Sequence, residues 1–339
     1  MSRLAWQRSL VLPVKIGIGI GLVTWLLSSG RLDLSRLAAV RLTGQLEALF
    51  AAVVCSMCVP AVRWWWLLHI QGLPQSLITI VRITWVGYLA ALALPGAASG
   101  DLAKSILILK DNRQARARAF STVLADRFLG LYSLMLPGAV SAAWMAYRDG
   151  WDSMLSLLMM GTLISLVAST AGIAALLYPG TRSILLRFFP SAWRDSWEES
   201  FGFYVAGWRH LAGCFGLSIA NAMLTSAIFV LASRSLGQNI AWDTTYLVGP
   251  LVVIANWVPF APGGIGVAES VASELFERIG NPHGAEVMAL TRICAGVVSL
   301  AGLACVFRKG DSVPQGPGLD LQPVETKTLP STFLNDGGE

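Results

Sequence analysis

The chain has 339 residues, of which 55% are hydrophobic and only 13% charged, with a mean hydropathy of +0.61. Soluble domains carry about 25% charge, so this composition excludes an ordinary two-domain soluble protein. With apolar runs of about 18 residues and more, it points to an all-α, polytopic integral membrane bundle of six to eight spans in the inner cell membrane. The net charge of +5 comes from Lys and Arg in short loops between apolar runs, where they orient spans and meet anionic lipid. Nucleic acid is therefore not an expected partner.

In chain order, the apolar segments run over 9–28, 44–62, 76–98, 119–147, 153–178, 210–233, 244–260, 264–279 and 285–306. The first has a charged start like a signal peptide, but its apolar stretch is long and no A-x-A site follows, so it reads as a retained span. Its Gly17 and Gly21 form a G-x-x-x-G face for close helix contact. Cys55 and Cys58 lie one turn apart within an apolar run and suit packing better than redox or metal chemistry. Trp64, Trp65 and Trp66 read as an interfacial belt at the end of the second segment. From 187 to 209, Trp193, Trp197, Phe201, Tyr204 and Trp208 recur every three or four residues among charges, the pattern of an amphipathic helix in the interface plane. The Pro/Gly-rich, polar tail over 310–339 is expected to be disordered, which leaves 1–309 as the membrane domain. His69, His210 and His283 are scattered, so no metal, cofactor or catalytic group is expected.

Two segments break at Pro-Gly: "LPGAASGD" (94–101) and "APGGIGVAE" (261–269). Loop charge scarcely separates a plain eight-span path from one in which 76–118 and 244–280 are re-entrant hairpins. The paired Pro/Gly interruptions favour the hairpins, because such segments in corresponding halves mark inverted-repeat transporters and their binding sites. A broken helix is tolerated at membrane depth only inside protein or around a wet cavity. A helix that restarts after the break aims its N–H groups and positive dipole end at that cavity.

The candidate substrate-binding residues follow from this reading. Gly100, Asp101 and Lys104 follow the first break. Pro262, Gly263, Gly264, Gly266 and Glu269 make the second, with glycines that let backbone approach a ligand. Asn256 precedes that break and is placed to hydrogen-bond freed backbone. Asp126 and Arg127 lie on the segment after the first break. Arg292 sits mid-run, where an unpaired arginine costs at least roughly 2.5–3.5 kcal/mol, so it requires a partner, Glu269 or Asp101. Plainer readings remain for several of them: Asp101 as a helix N-cap, Pro262-Gly263-Gly264 as a turn between spans, and Asp126-Arg127 as an interfacial ion pair.

Three motifs, "LPGAASGDLAK", "AFSTVLADRFLGL" and "PGGIGVAE", in this order, resemble the flippase-like, lysylphosphatidylglycerol synthase transmembrane domain family, over roughly residues 10–307. The third motif matches fully, and the second matches at Ala119, Ser121, Val123, Asp126, Arg127 and Gly130. The first departs: Ser99 stands where the family has Gly, and Lys104 where it usually has Arg. Lysine keeps the charge but not the bidentate fork. The resemblance implies movement of aminoacylated, anionic or other polar membrane lipids between leaflets, with Asp101, Arg127 and Glu269 as functional residues. It leaves room for a lipid-modifying enzyme partner, for a homo-oligomer, and for the alternative of an accessory protein or enzyme acting on lipid-linked substrates. The family's soluble synthase half is not implied.

Overall fold

A computed structural model describes residues 20–307 apart from 22, 30, 39, 41–42, 94–98, 113–114, 179, 182–190, 239–240 and 257–264; at a few further positions it describes backbone alone. The tail over 310–339, the first span's start and both Pro-Gly breaks lie outside the described residues. The described elements are helices α1 (Leu34–Ala38), α2 (Gly44–Ile70), α3 (Leu77–Ala93), α4 (Ser99–Asp111), α5 (Arg116–Asp149), α6 (Ser153–Leu177), α7 (Ser191–Ala206), α8 (Trp208–Ser235), α9 (Trp242–Asn256), α10 (Val267–Arg278) and α11 (Gly284–Phe307).

Five of these are long and apolar enough to cross a membrane: α2, α5, the 153–172 stretch of α6, α8, and the 284–303 stretch of α11. Their apolar side chains point outward as well as inward. Val140, Leu157, Ile164 and Val167 are all exposed, as expected for helices whose outer solvent is hydrocarbon. Lipid tails are as apolar as leucine, so burial alone does not drive such helices together, and close backbone approach at small residues takes its place. A Cβ on Gly100 would lie 2.7 Å from the carbonyl oxygen of Gly87, and one on Gly302 would lie 2.7 Å from that of Trp85. Thr43 caps α2 by accepting the Leu46 N–H, and Asp152 caps α6 by accepting that of Leu155.

Helices α3 and α4 fold back on each other. Gly87 faces the stem of Lys104, and Ala91 faces Gly100, so the two run antiparallel about the 94–98 break. At 1.5 Å per residue, 17 and 13 residues span about 26 and 20 Å, less than the roughly 30 Å hydrocarbon core.

The helix packing has a two-fold pattern. Helices α2–α3, α3–α4, α4–α5, α2–α5, α3–α11 and α2–α11 pack together, and so do α8–α9, α9–α10, α10–α11, α8–α11, α9–α5 and α8–α5. Exchanging α2 with α8, α3 with α9, α4 with α10 and α5 with α11 turns the first set into the second. The central α2–α8 contact maps onto itself. Helices α6 and α7 lie outside this pattern. The aromatic segment forms α7, and its Trp197 is buried edge-on against Phe120 of α5, so this helix docks on the bundle.

Candidate functional site

The first charged cluster is held by α2, α4, α5 and α8. Arg63 of α2 donates from Nε to Asp126 Oδ1 at 2.7 Å and from Nη1 to Ser218 Oγ of α8 at 2.8 Å. Both members of the ion pair are buried. Gly130 makes room for them, since a Cβ there would come within 3.3 Å of the guanidinium. One residue on from Asp126, Arg127 turns the other way and pairs with Asp101 of α4. Adjacent residues on a helix point about 100° apart, so Asp126 and Arg127 serve different partners and do not form the interfacial pair that their adjacency suggested.

Asp101 is the third residue of α4 and not its N-cap. Lys104, one turn further, is buried, with its ammonium 5.5 Å from the Trp64 ring and 5.6 Å from the Tyr88 ring. Trp64 is fully buried and donates from Nε1 to Thr122 Oγ1 at 3.0 Å. It belongs to the core around the site and not to the interfacial belt expected from the sequence, because the ring packs inward over Lys104. The opposite face of α4, at Leu102 and Ile106, is exposed and apolar.

Arg63, Tyr88, Asp101, Lys104, Asp126 and Arg127 line a cavity of about 220 Å³ together with Pro60, Asn221, Thr225 and Val253. Ordinary apolar packing would leave such a space empty and dry. Here five charged side chains face it.

The second cluster is held by α9, α10 and α11. Glu269 of α10 is buried. One carboxylate oxygen accepts the Gly266 N–H at 2.7 Å and the other accepts Arg292 Nε at 2.8 Å. Arg292 Nη2 also donates to Asn256 Oδ1 at 3.1 Å. The partner that Arg292 requires is thus Glu269, and Asn256 binds this guanidinium where freed backbone was expected. Gly266 has a φ of +84°, a left-handed conformation that favours glycine. Its N–H is committed to Glu269 and not left open for a ligand.

The sequence-selected residues therefore separate into two groups. Gly100, Asp101, Lys104, Asp126 and Arg127 meet around the first cluster. Asn256, Gly266, Glu269 and Arg292 meet in the second, which is not part of the cavity's lining. Pro262, Gly263 and Gly264 lie outside the described residues. Arg63, Tyr88, Ser218 and Asn221 were not selected from sequence. Only Arg63 gave a usable signal, as a charge deep in an apolar run, and the adjacent tryptophans obscured it.

The two clusters correspond under the helix exchange. Asp101 and Glu269 are each the third residue of the helix after a break, and each pairs with an arginine on the next helix. Paired acids and arginines inside a bundle of apolar, outward-greasy helices define a multi-pass membrane protein with an intramembrane polar site.

The comparisons agree with this class. The model of the lysylphosphatidylglycerol synthase TM region family matches residues 12–302, and the chain belongs to that family. It is also similar to a UPF0104 membrane protein of Pyrococcus horikoshii, 25% identical over 257 residues, which cover 66% of this chain and 74% of the relative. No solved structure matches.

Proposed function

We propose that this protein moves a lipid with a polar headgroup between the leaflets of the cell's inner membrane. The observation that carries this reading is the charged cavity built on the α3–α4 hairpin. Retaining five charged groups around it in hydrocarbon is costly, several kcal/mol for each poorly compensated charge, and buys nothing for packing. A route for a headgroup that must leave water while its tails stay in lipid accounts for that cost.

The family's name, which ties this membrane region to a phospholipid synthase, supports a lipid as the cargo. The two-fold helix exchange supports a transporter. With both broken segments as re-entrant hairpins, α2 and α8 run in opposite directions and the halves form an inverted repeat, the architecture that allows a fixed site to open alternately to each side. In this scheme Asp101–Arg127 and Glu269–Arg292 are the two gates, one per half, and opening either side requires parting its pair.

The test is a leaflet-flip assay on the full chain in liposomes carrying labelled phospholipids. Wild-type protein should speed flipping of at least one headgroup class, and Asp101→Asn and Glu269→Gln should each abolish it. If no lipid moves while one remains bound to the purified chain, transport is wrong and the protein is a lipid-binding accessory.

A further inference from the structure

The charges facing the cavity do not balance. Arg63, Lys104 and Arg127 are three cations, and Asp101 and Asp126 are two carboxylates. Each carboxylate is already held by an arginine. The surplus charge is on Lys104, which is 6% exposed and has no hydrogen-bond or ion-pair partner among the described residues; its contacts are the faces of Trp64 and Tyr88. Those rings lower the cost of holding an ammonium there without neutralising it. The stretches 94–98 and 257–264 contain no ionisable residue, so neither break supplies the missing anion.

A second polar group at the cavity is also uncommitted. Asn221 Oδ1 is buried with no hydrogen-bond partner among the described residues. The hydroxyls of Ser133, Ser218 and Thr225 already donate to carbonyl oxygens of Gly130, Cys214 and Asn221. Among the described residues, the cavity therefore presents an unpaired cation, Lys104, and a buried acceptor with no donor, Asn221 Oδ1.

We propose that Lys104 seats a singly charged phosphodiester, and that the ligand of this cavity is a net-anionic headgroup carrying a hydrogen-bond donor for Asn221. This rests on the lipid-transport reading and narrows it. An aminoacylated lipid, whose added ammonium groups outweigh its phosphate, would add positive charge to a site already in surplus. A lysine ammonium suits a single-point contact to one phosphate oxygen. The bidentate clamp of a guanidinium is not needed for it.

The test counts lipid bound to the purified full-length chain by native mass spectrometry after equilibration in mixed micelles. The probes are phosphatidylglycerol, phosphatidylcholine, lysyl-phosphatidylglycerol and diacylglycerol with matched tails. Phosphatidylglycerol should be retained over the other three. Lys104→Met should cut its retention about tenfold or more, as expected for losing a charged contact, and Lys104→Arg should keep it. Asn221→Leu should shrink the preference for phosphatidylglycerol over phosphatidylcholine. Equal retention by Lys104→Met and wild type, or stronger binding of lysyl-phosphatidylglycerol, overturns the proposal. Complete displacement by excess inorganic phosphate would assign the subsite to a free anion and overturn the lipid source. Flipping that survives in Lys104→Met sinks this inference and leaves transport standing. The expected binding pattern without flipping does the reverse.

Discussion

The two charged clusters use the same parts to different ends. Each has an acid on the first turn of a post-break helix and an arginine on the helix that follows. In the second cluster, Glu269 has both oxygens occupied, by Gly266 and by Arg292, and Asn256 also accepts from the guanidinium. The charges of Glu269 and Arg292 cancel, and neither lines the cavity of the first cluster. In the first, a second ion pair, Arg63–Asp126, is packed beside Asp101–Arg127, and Lys104 is left over at the edge of open space. Quasi-equivalent halves can thus be divided into one that is saturated and one that is poised. The difference comes from three residues on the first half: Arg63, Lys104 and Asp126.

Breaking the first half at its most buried point should have the largest effect. Arg63→Met strands Asp126 in the core, and loss of one member of a buried pair costs about 3–5 kcal/mol. The thermal midpoint in detergent should fall sharply, and the double variant Arg63→Met/Asp126→Leu should recover much of the loss. Next is the second half. Glu269→Gln keeps the shape of the side chain but removes the carboxylate charge that faces Arg292, 29% exposed at its side chain. The cost should be about 1.5–3 kcal/mol, that of a charged hydrogen bond, and is read by the same melt.

The backbone contacts offer a third comparison. Gly100→Ala places a methyl 2.7 Å from the Gly87 carbonyl oxygen, and Gly284→Ala places one 2.1 Å from that of Ala272. Both should destabilise by about 1–3 kcal/mol as overpacking does, with Gly284→Ala the worse because its clash is with backbone at shorter range. The smallest effect belongs at the rim, outside both clusters. Asp152 caps α6 and meets Arg278, and the guanidinium, with the Leu155 N–H, holds its carboxyl below the ordinary 3.8. Its folded-state value is depressed, so its contribution is present above pH 3.8 and is lost as pH falls through the lower folded value. Asp152→Ala should cost about 1 kcal/mol as a lost cap at pH 7, and the gap from wild type should close in melts taken toward pH 3.

Much of the helical skeleton was legible in hydropathy, because a membrane helix states its burial along its whole length. Asp101, Lys104, Asp126 and Arg127 were legible as candidates within one larger set, and the cost of an isolated arginine led from Arg292 to a partner, Glu269 or Asp101, of which the structure pairs Glu269. What the sequence did not disclose was pairing. Asp126 reaches Arg63 across 63 positions and Ser218 lies 155 from Arg63. No local pattern encodes such distances. Trp64 misled for a related reason: composition alone does not distinguish a tryptophan at the headgroups from one turned inward over a lysine. The inequality of the two clusters was hidden too, since it depends on which charge is left over after pairing.

The most direct test of that inequality is labelling with a membrane-impermeant thiol reagent in a background with the native cysteines replaced. Thr225→Cys places a thiol on the cavity, and Ser273→Cys places one in the buried core of α10, beyond the cavity lining. The account predicts that the Thr225→Cys thiol reacts from at least one side of the membrane and is protected by phosphatidylglycerol, while the Ser273→Cys thiol stays unreactive. Silence at Thr225→Cys from both sides, or equal reaction at the two positions, would contradict it.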